Sequence, residues 1–184
     1  MDYNFFNNAE LKLLRKDGST ILAAHALRNA EFVLVYFSAH WCPPCRSFTP
    51  LLKEFYETHH ERKNFEVVFM SFDKSEKEML NYFKAAHGDY YCLPFEDAAS
   101  MKAVWSNSYG FQTIPTLLVF GNNNPRRLVT KCGRDMVAKD PNAEMFPWQG
   151  ADAMQPAQTN FFEYIQRGLL VLCIAWLVYS VLTR

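Results

Sequence analysis

The chain has 184 residues, sets 19 Lys+Arg against 19 Asp+Glu, and is 49% hydrophobic with 16 phenylalanines. That length suits one domain with a modest extension, and the apolar content suffices for a proper core. The zero formal charge and the lack of a basic stripe exclude the electrostatic footprint of nucleic-acid binding.

There are five cysteines, Cys42, Cys45, Cys92, Cys132 and Cys173. An odd count with one close pair does not resemble the disulfide framework of a secreted domain. The opening MDYNFFNNAELKLL carries neither a secretory signal nor an Arg- and Ser-rich transit stretch. The catalytic part is therefore expected in a reducing cytosol, where a CxxC pair serves redox or metal chemistry.

Residues 10–16 predict a first short strand closed by Asp17-Gly18, and Ser19 to Arg28 a helix. Phe32 to Phe37 (FVLVYF) is a continuous β-branched and aromatic run, the mark of a buried central strand. It leads into WCPPC and then into the helical pattern LLKEFYETHHERK. Phe65 to Phe72 predicts a second buried strand. Ser75 with Glu78 predicts a capping box for a helix to His87. Asp97 to Ser108 predicts a helix, Thr116 to Phe120 a strand opened by Pro115, Asn122 to Pro125 a turn, and Arg127 to Lys131 the last strand. Strands alternating with helices predict an α/β layered domain over residues 1–148 with at least one parallel βαβ unit.

Residues 149–160 lack hydrophobic periodicity and read as a linker. Gly168 to Leu182 is uncharged and apolar all round, about 15 residues or roughly 22 Å of helix. Counting from Phe161, with Arg167 and Arg184 snorkelling, residues 161–184 are expected to anchor the chain in a membrane. The short span with basic flanks favours the mitochondrial outer membrane, with the endoplasmic reticulum as the alternative, and the domain on the cytosolic face.

Cys42-Pro43-Pro44-Cys45 falls where a buried strand gives way to a helix. The unpaired N–H groups and dipole of a helix N-terminus favour a thiolate on Cys42, with a pKa nearer ~7 than ~8.5. Cys42 is thus the expected nucleophile and Cys45, one turn on, the resolving thiol. The two prolines stiffen the loop, and Trp41 predicts a flat apolar rim. Structural zinc needs four ligands, and the other candidates (His59, His60, Cys92, Cys132) are scattered, so no metal is expected. Ile114-Pro115 predicts a cis-proline loop facing the dithiol, its backbone open to an extended substrate chain. His59-His60 reads as a solvated face, and Cys92 and Cys132 as packing residues. Arg46 is expected to be exposed and screened.

The segments YFSAHWCPPCRSFTPLL, NFEVVFMSFD, LPFED, IPT and MVAKDPNAEMFPW resemble tryparedoxins, the thioredoxin-like carriers of kinetoplastids, over roughly residues 11–148. Nucleoredoxin shares WCPPC and is a near relative. The resemblance implies a thioredoxin fold, a central mixed sheet flanked by helices, here followed by a C-terminal hydrophobic helix. It implies that trypanothione reduces the Cys42–Cys45 disulfide and that electrons pass to peroxiredoxin-type and glutathione-peroxidase-like thiol peroxidases, with no bound cofactor. It implies a docking surface of Trp41, Pro43, Pro44, Ile114 and Pro115, with Arg134 near a substrate carboxylate. Tyr36 occupies the position where ordinary thioredoxins keep a buried aspartate, and Tyr36 and Asp73 are auxiliary candidates. The family's WDES is Phe72-Asp73-Lys74-Ser75 here, and its tryptophan before LPF is Tyr90. Two other readings remain at this stage: a general nucleoredoxin-like disulfide reductase, and a membrane-tethered binding scaffold.

Overall fold

The two central strands of the sheet are the apolar runs that flank the helix carrying the CPPC motif. In the computed structural model, which describes residue 8 and residues 10–122 and 127–154, Phe32–Ser38 (β3) and Phe65–Ser71 (β4) pair in parallel from Phe32↔Phe65 to Ser38↔Ser71. Val33, Leu34, Val35, Tyr36 and Phe37 are all fully buried. A strand covered on both faces has no solvent side to alternate with, which is why its sequence is unbroken.

Upstream lie Lys12–Leu14 (β1) and Thr20–Leu22 (β2), an antiparallel hairpin. Much of the helix expected from Ser19 to Arg28 is therefore absent; only Ala23–Ala26 (α1) is helical. Asp17 Oδ1 accepts the Ser19 N–H at 2.8 Å, Gly18 takes φ +89°, and the Arg15 N–H bonds the Ser19 carbonyl at 2.9 Å. The Asx turn folds the chain back into a ladder before a helix can start.

Pro43–Lys63 (α2) crosses from β3 to β4. Proline suits its first turn, where N–H groups have no partner. Asn64 caps it in the left-handed region (φ 52°), and its carbonyl accepts the N–H groups of Glu31 and Phe32. Glu76–Ala86 (α3) starts at Ser75, whose Oγ accepts the Glu78 N–H at 3.3 Å, as the capping box predicts. Tyr91–Cys92 (β5), too short to read from sequence, pairs parallel with β4 and antiparallel with β1.

Phe95–Tyr109 (α4) leads to Thr116–Gly121 (β6), antiparallel to β3, and Arg127–Thr130 (β7) completes the order β2-β1-β5-β4-β3-β6-β7. Gly133–Lys139 (α5) follows, an element the sequence did not announce. Alternate residues of β3 feed the two faces. Leu34 and Tyr36 meet Leu52, Phe55, Phe83 and Trp148. Val33 and Val35 meet Leu27, Ala98 and Trp105 on the other face.

Asp140 gathers the segment beyond α5, accepting the N–H groups of Glu144 and Met145 and the Trp148 indole N–H. Ala151–Met154, inside the stretch expected as a linker, forms a 3-10 turn; Ala151 is buried. Asp152 Oδ1 accepts from the Thr130 hydroxyl, the Lys131 N–H and the Cys132 thiol. The compact unit runs through Asp152, and the second unit, Ala153–Arg184, lies almost wholly outside the described residues. Cys173 and the expected anchor, 161–184, fall there too. Among the described residues no helix is long and apolar enough to cross a membrane.

Candidate active site

The chain leaves β3 at Ser38 and turns through Ala39, His40 and Trp41 to Cys42, the N-cap of α2, with φ −91° and ψ 110°. The Cys42 N–H bonds the Ala39 carbonyl, and the Arg46 N–H returns to the Cys42 carbonyl, both at 3.2 Å. Cys42 and Cys45 are joined as a disulfide, their Cα atoms 5.2 Å apart. Cys42 retains 5% of its surface while Cys45 retains none, so an attacking sulfur can reach only Cys42. Its position at the helix N-terminus stabilises the thiolate formed on reduction.

Opposite stands the loop before β6. The Ile114–Pro115 bond is cis, as expected, and the Ile114 carbonyl oxygen lies 3.6 Å from Cys42 Sγ. A second cis bond, Phe146–Pro147, was not foreseen. Trp41 is half exposed, and its indole N–H donates to the Phe72 carbonyl at 3.0 Å. These residues open on a groove of about 680 Å³ floored by Trp41, Pro43, Pro44, Phe72, Phe111 and Ile114. No charged side chain lines it. Phe72, Asn107 and Phe111 were not foreseen: Phe72 follows directly on β4, while Asn107 at the end of α4 and Phe111 just beyond it come from distant chain.

Thr49 Oγ1 donates to the Cys45 carbonyl at 2.9 Å, using its one hydrogen. It therefore accepts from both Tyr36 and Tyr82, at 2.7 and 2.5 Å. Burial pushes the Tyr36 phenol above its ordinary pKa, so it stays protonated and donates. Asp73, also buried, accepts the His40 N–H and the Ser71 hydroxyl, each at 2.8 Å. Burial raises its pKa, against the opposing pull of those two donors.

A second cleft of about 470 Å³ lies on the other side of the turn, between His40 and Arg46 and the α3 residues Glu78, Asn81 and Tyr82. Arg46 is exposed, as expected, and its guanidinium donates to the His40 carbonyl at 2.7 Å. Arg134 is exposed in the first turn of α5 and outside the lining of both clefts. Pro115 is buried at the start of β6.

Cys92 is fully buried, and desolvation holds its thiol well above the ordinary value. Cys132 is pushed to about 11 by burial and by the Asp152 carboxylate. His59 corrects the expectation of a solvated face: it is buried, with Nε2 at 2.8 Å from the Pro141 carbonyl and Nδ1 at 3.1 Å from Arg62. The return of the chain after α5 covers that helix face, which the local sequence could not show. Tyr90 is buried, its hydroxyl 3.0 Å from His87 Nδ1. Among the described residues no group of three or more His, Cys, Asp or Glu side chains is placed to hold a metal ion.

A dithiol at the N-terminus of the first crossover helix, facing a cis-proline loop across a mixed sheet, defines a thioredoxin-fold thiol–disulfide oxidoreductase. A family described as Thioredoxin-like matches residues 29–125. The chain belongs to that family, in the branch that contains tryparedoxin and nucleoredoxin. It is 38% identical over 136 residues to tryparedoxin of Trypanosoma brucei brucei, covering 74% of this chain and 90% of that one. It is 35% identical to human nucleoredoxin over 88% of this chain but only 36% of that protein, so it spans about a third of nucleoredoxin's length. A solved tryparedoxin II complexed with glutathionylspermidine superposes with TM-score 0.71 at 35% identity, over 80% of this chain and 98% of that one.

Proposed function

We propose that the Cys42–Cys45 pair carries electrons from trypanothione to thiol peroxidases of the peroxiredoxin and glutathione-peroxidase-like types, in hydroperoxide removal. The observation that carries this reading is that Cys42 is the reachable sulfur of the pair, set between an uncharged groove and the Ile114 carbonyl. The near full-length match to a tryparedoxin, and a relative solved with glutathionylspermidine, support the donor.

The donor thiolate attacks Cys42 Sγ and the electron pair of the S–S bond leaves on Cys45, which takes a proton. The donor's second thiol then displaces Cys42, so two thiols become one donor disulfide and the protein leaves as a dithiol. Reduced Cys42 attacks the peroxidase disulfide, and Cys45 attacks Cys42 Sγ to release the reduced client. Trp41, Pro43, Pro44, Ile114 and Pro115 serve as the docking surface. Arg134 meets a carboxylate at the margin, and Tyr36 and Asp73 hold the turn. Lys74, cationic where relatives carry an acid, weakens the hold on a polyamine. Residues 161–184 anchor the chain with the domain on the cytosolic face, at the mitochondrial outer membrane or, in the alternative, the endoplasmic reticulum.

The test is peroxide-dependent NADPH consumption by the full chain in detergent with trypanothione, its reductase and a tryparedoxin-dependent peroxidase. Turnover lost in Cys42→Ser supports the carrier. No turnover, with insulin still reduced by dithiothreitol, overturns it in favour of a general nucleoredoxin-like reductase, which the 35% identity to nucleoredoxin favours as the second reading. A binding scaffold would leave cellular readouts unchanged in Cys42→Ser.

A further inference from the structure

The turn that presents Cys42 has two clefts at its sides, and they differ in kind. The groove holding the sulfur has no charged lining residue. The smaller cleft, about 470 Å³ and within the usual range for small-molecule sites, is lined by Arg46 and Glu78 with His40 and Asn81 between them.

Arg46 and Glu78 do not pair with each other. The guanidinium spends one N–H on the His40 carbonyl, and one Glu78 oxygen accepts the Lys74 N–H at 3.2 Å. Each is thereby held in place by backbone, and among the described residues no opposite side chain forms an ion pair with either. A fixed cation and a fixed anion lining one cleft suit a ligand that carries both signs. Tyr82 forms the floor, its ring 5.4 Å from that of His40 and its hydroxyl bound to Thr49, so the floor is fixed as well. The Arg46 N–H bonds the Cys42 carbonyl and His40 lies two residues before Cys42, so the cleft belongs to the same turn as the reacting sulfur.

We propose that the Arg46–Glu78 cleft is the subsite for a low-molecular-weight thiol with a zwitterionic amino-acid end, its carboxylate on Arg46 and its ammonium on Glu78. The uncharged groove is left to the protein client. This rests on the dithiol-carrier reading and adds where the donor is held. Two donor thiols are oxidised to one disulfide as the Cys42–Cys45 bond takes up two electrons and two protons.

The experiment follows reduction of the full chain by Trp41-sensitive fluorescence, with three donors: glutathione, glutathione acetylated on its α-amine, and uncharged dithiothreitol. Glu78→Gln keeps an acceptor for the Lys74 N–H, so the α3 cap survives. Its glutathione-to-dithiothreitol rate ratio falls about tenfold, the size of one charge-assisted hydrogen bond, while the ratio for the acetylated donor holds. Arg46→Gln lowers the ratio for both charged donors. Lys84→Gln, on α3 outside the cleft lining, keeps both ratios. An unchanged glutathione ratio in Glu78→Gln, or an equal fall for the acetylated donor, overturns the subsite. A wild-type disulfide that dithiothreitol cannot reduce would overturn the dithiol reading itself, and the subsite with it.

Discussion

Asp73 Oδ1 accepts the backbone N–H of His40 at 2.8 Å, so the end of β4 fixes the turn that presents Trp41 and Cys42. Its other oxygen takes the Ser71 hydroxyl. Asp73→Ala leaves both donors without an acceptor and should cost about 2–3 kcal/mol. For a domain of this size that is a fall of roughly 5–10 °C in Tm by circular dichroism. Reduction of a disulfide client should slow by about tenfold as the turn loosens. Asp73→Asn, keeping shape and one acceptor, should lose less than half as much stability.

The unequal burial of the two sulfurs makes their variants distinguishable. Cys42→Ser should lower client-disulfide reduction by at least about a thousandfold, because the nucleophile is gone. Cys45→Ser should still attack but be unable to resolve, and the mixed disulfide should accumulate as a mass adduct that dithiothreitol removes. Equal inactivity of both, with no adduct, would contradict the assignment of roles.

His87 is fully buried against the rings of Tyr36, Phe69, Tyr82, Phe83 and Tyr90, and among the described residues its Nε2 has no hydrogen-bond partner. Burial first, and the Lys16 charge second, lower its pKa to about 3 from 6.5. Between those values the unfolded chain binds a proton that the folded chain refuses. The stability this residue contributes is complete above pH 6.5 and drains as pH falls toward 3, at up to ~1.4 kcal/mol per unit. Asp73 and Glu66, whose pKa values burial raises, act in the opposite sense. A variant comparison isolates the histidine. Urea unfolding of His87→Phe should lose about 2–3 kcal/mol less than wild type between pH 6.5 and 4.5.

Gly133 shows how tightly α5 is drawn against β6. A Cβ there would lie 2.7 Å from the Leu117 carbonyl oxygen and 3.0 Å from Leu117 Cγ. Gly133→Ala must push the helix off the strand, at about 2 kcal/mol. Leu117 lies three residues after Ile114, so the displacement should also reach the cis-proline loop. Client reduction should fall together with Tm; a stable, fully active Gly133→Ala would show that the contact relaxes freely.

Much of this arrangement was legible in the sequence where one residue type does one job. FVLVYF and FEVVFMS could only be strands covered on both faces, and Ser75 with Glu78 announced its helix. The dithiol and Ile114-Pro115 were visible because their chemistry needs fixed spacing. The N-terminal hairpin is hidden because ILAAHALRNA favours helix by composition; the Asx turn at Asp17 draws Thr20–Leu22 into a strand and leaves the helix to begin at Ala23. GRDMVAK hid α5, since a seven-residue helix presents too few apolar positions to show a period. The groove wall from Phe111 and Asn107, and the burial of His59, depend on segments far apart in the chain. No local pattern records them.

The three hydrogen bonds that Asp152 collects, one of them from the Cys132 thiol, bear on how the protein meets electrophiles. A thiol donating to a carboxylate, with its pKa near 11, offers almost no thiolate at neutral pH. Cys92 and Cys45 have no accessible surface. Among the described residues, the reduced domain thus presents one fast-reacting sulfur. Of the four described cysteines, a limiting dose of a small alkylating tag should mark Cys42 alone, making this fold its own selective handle for labelling.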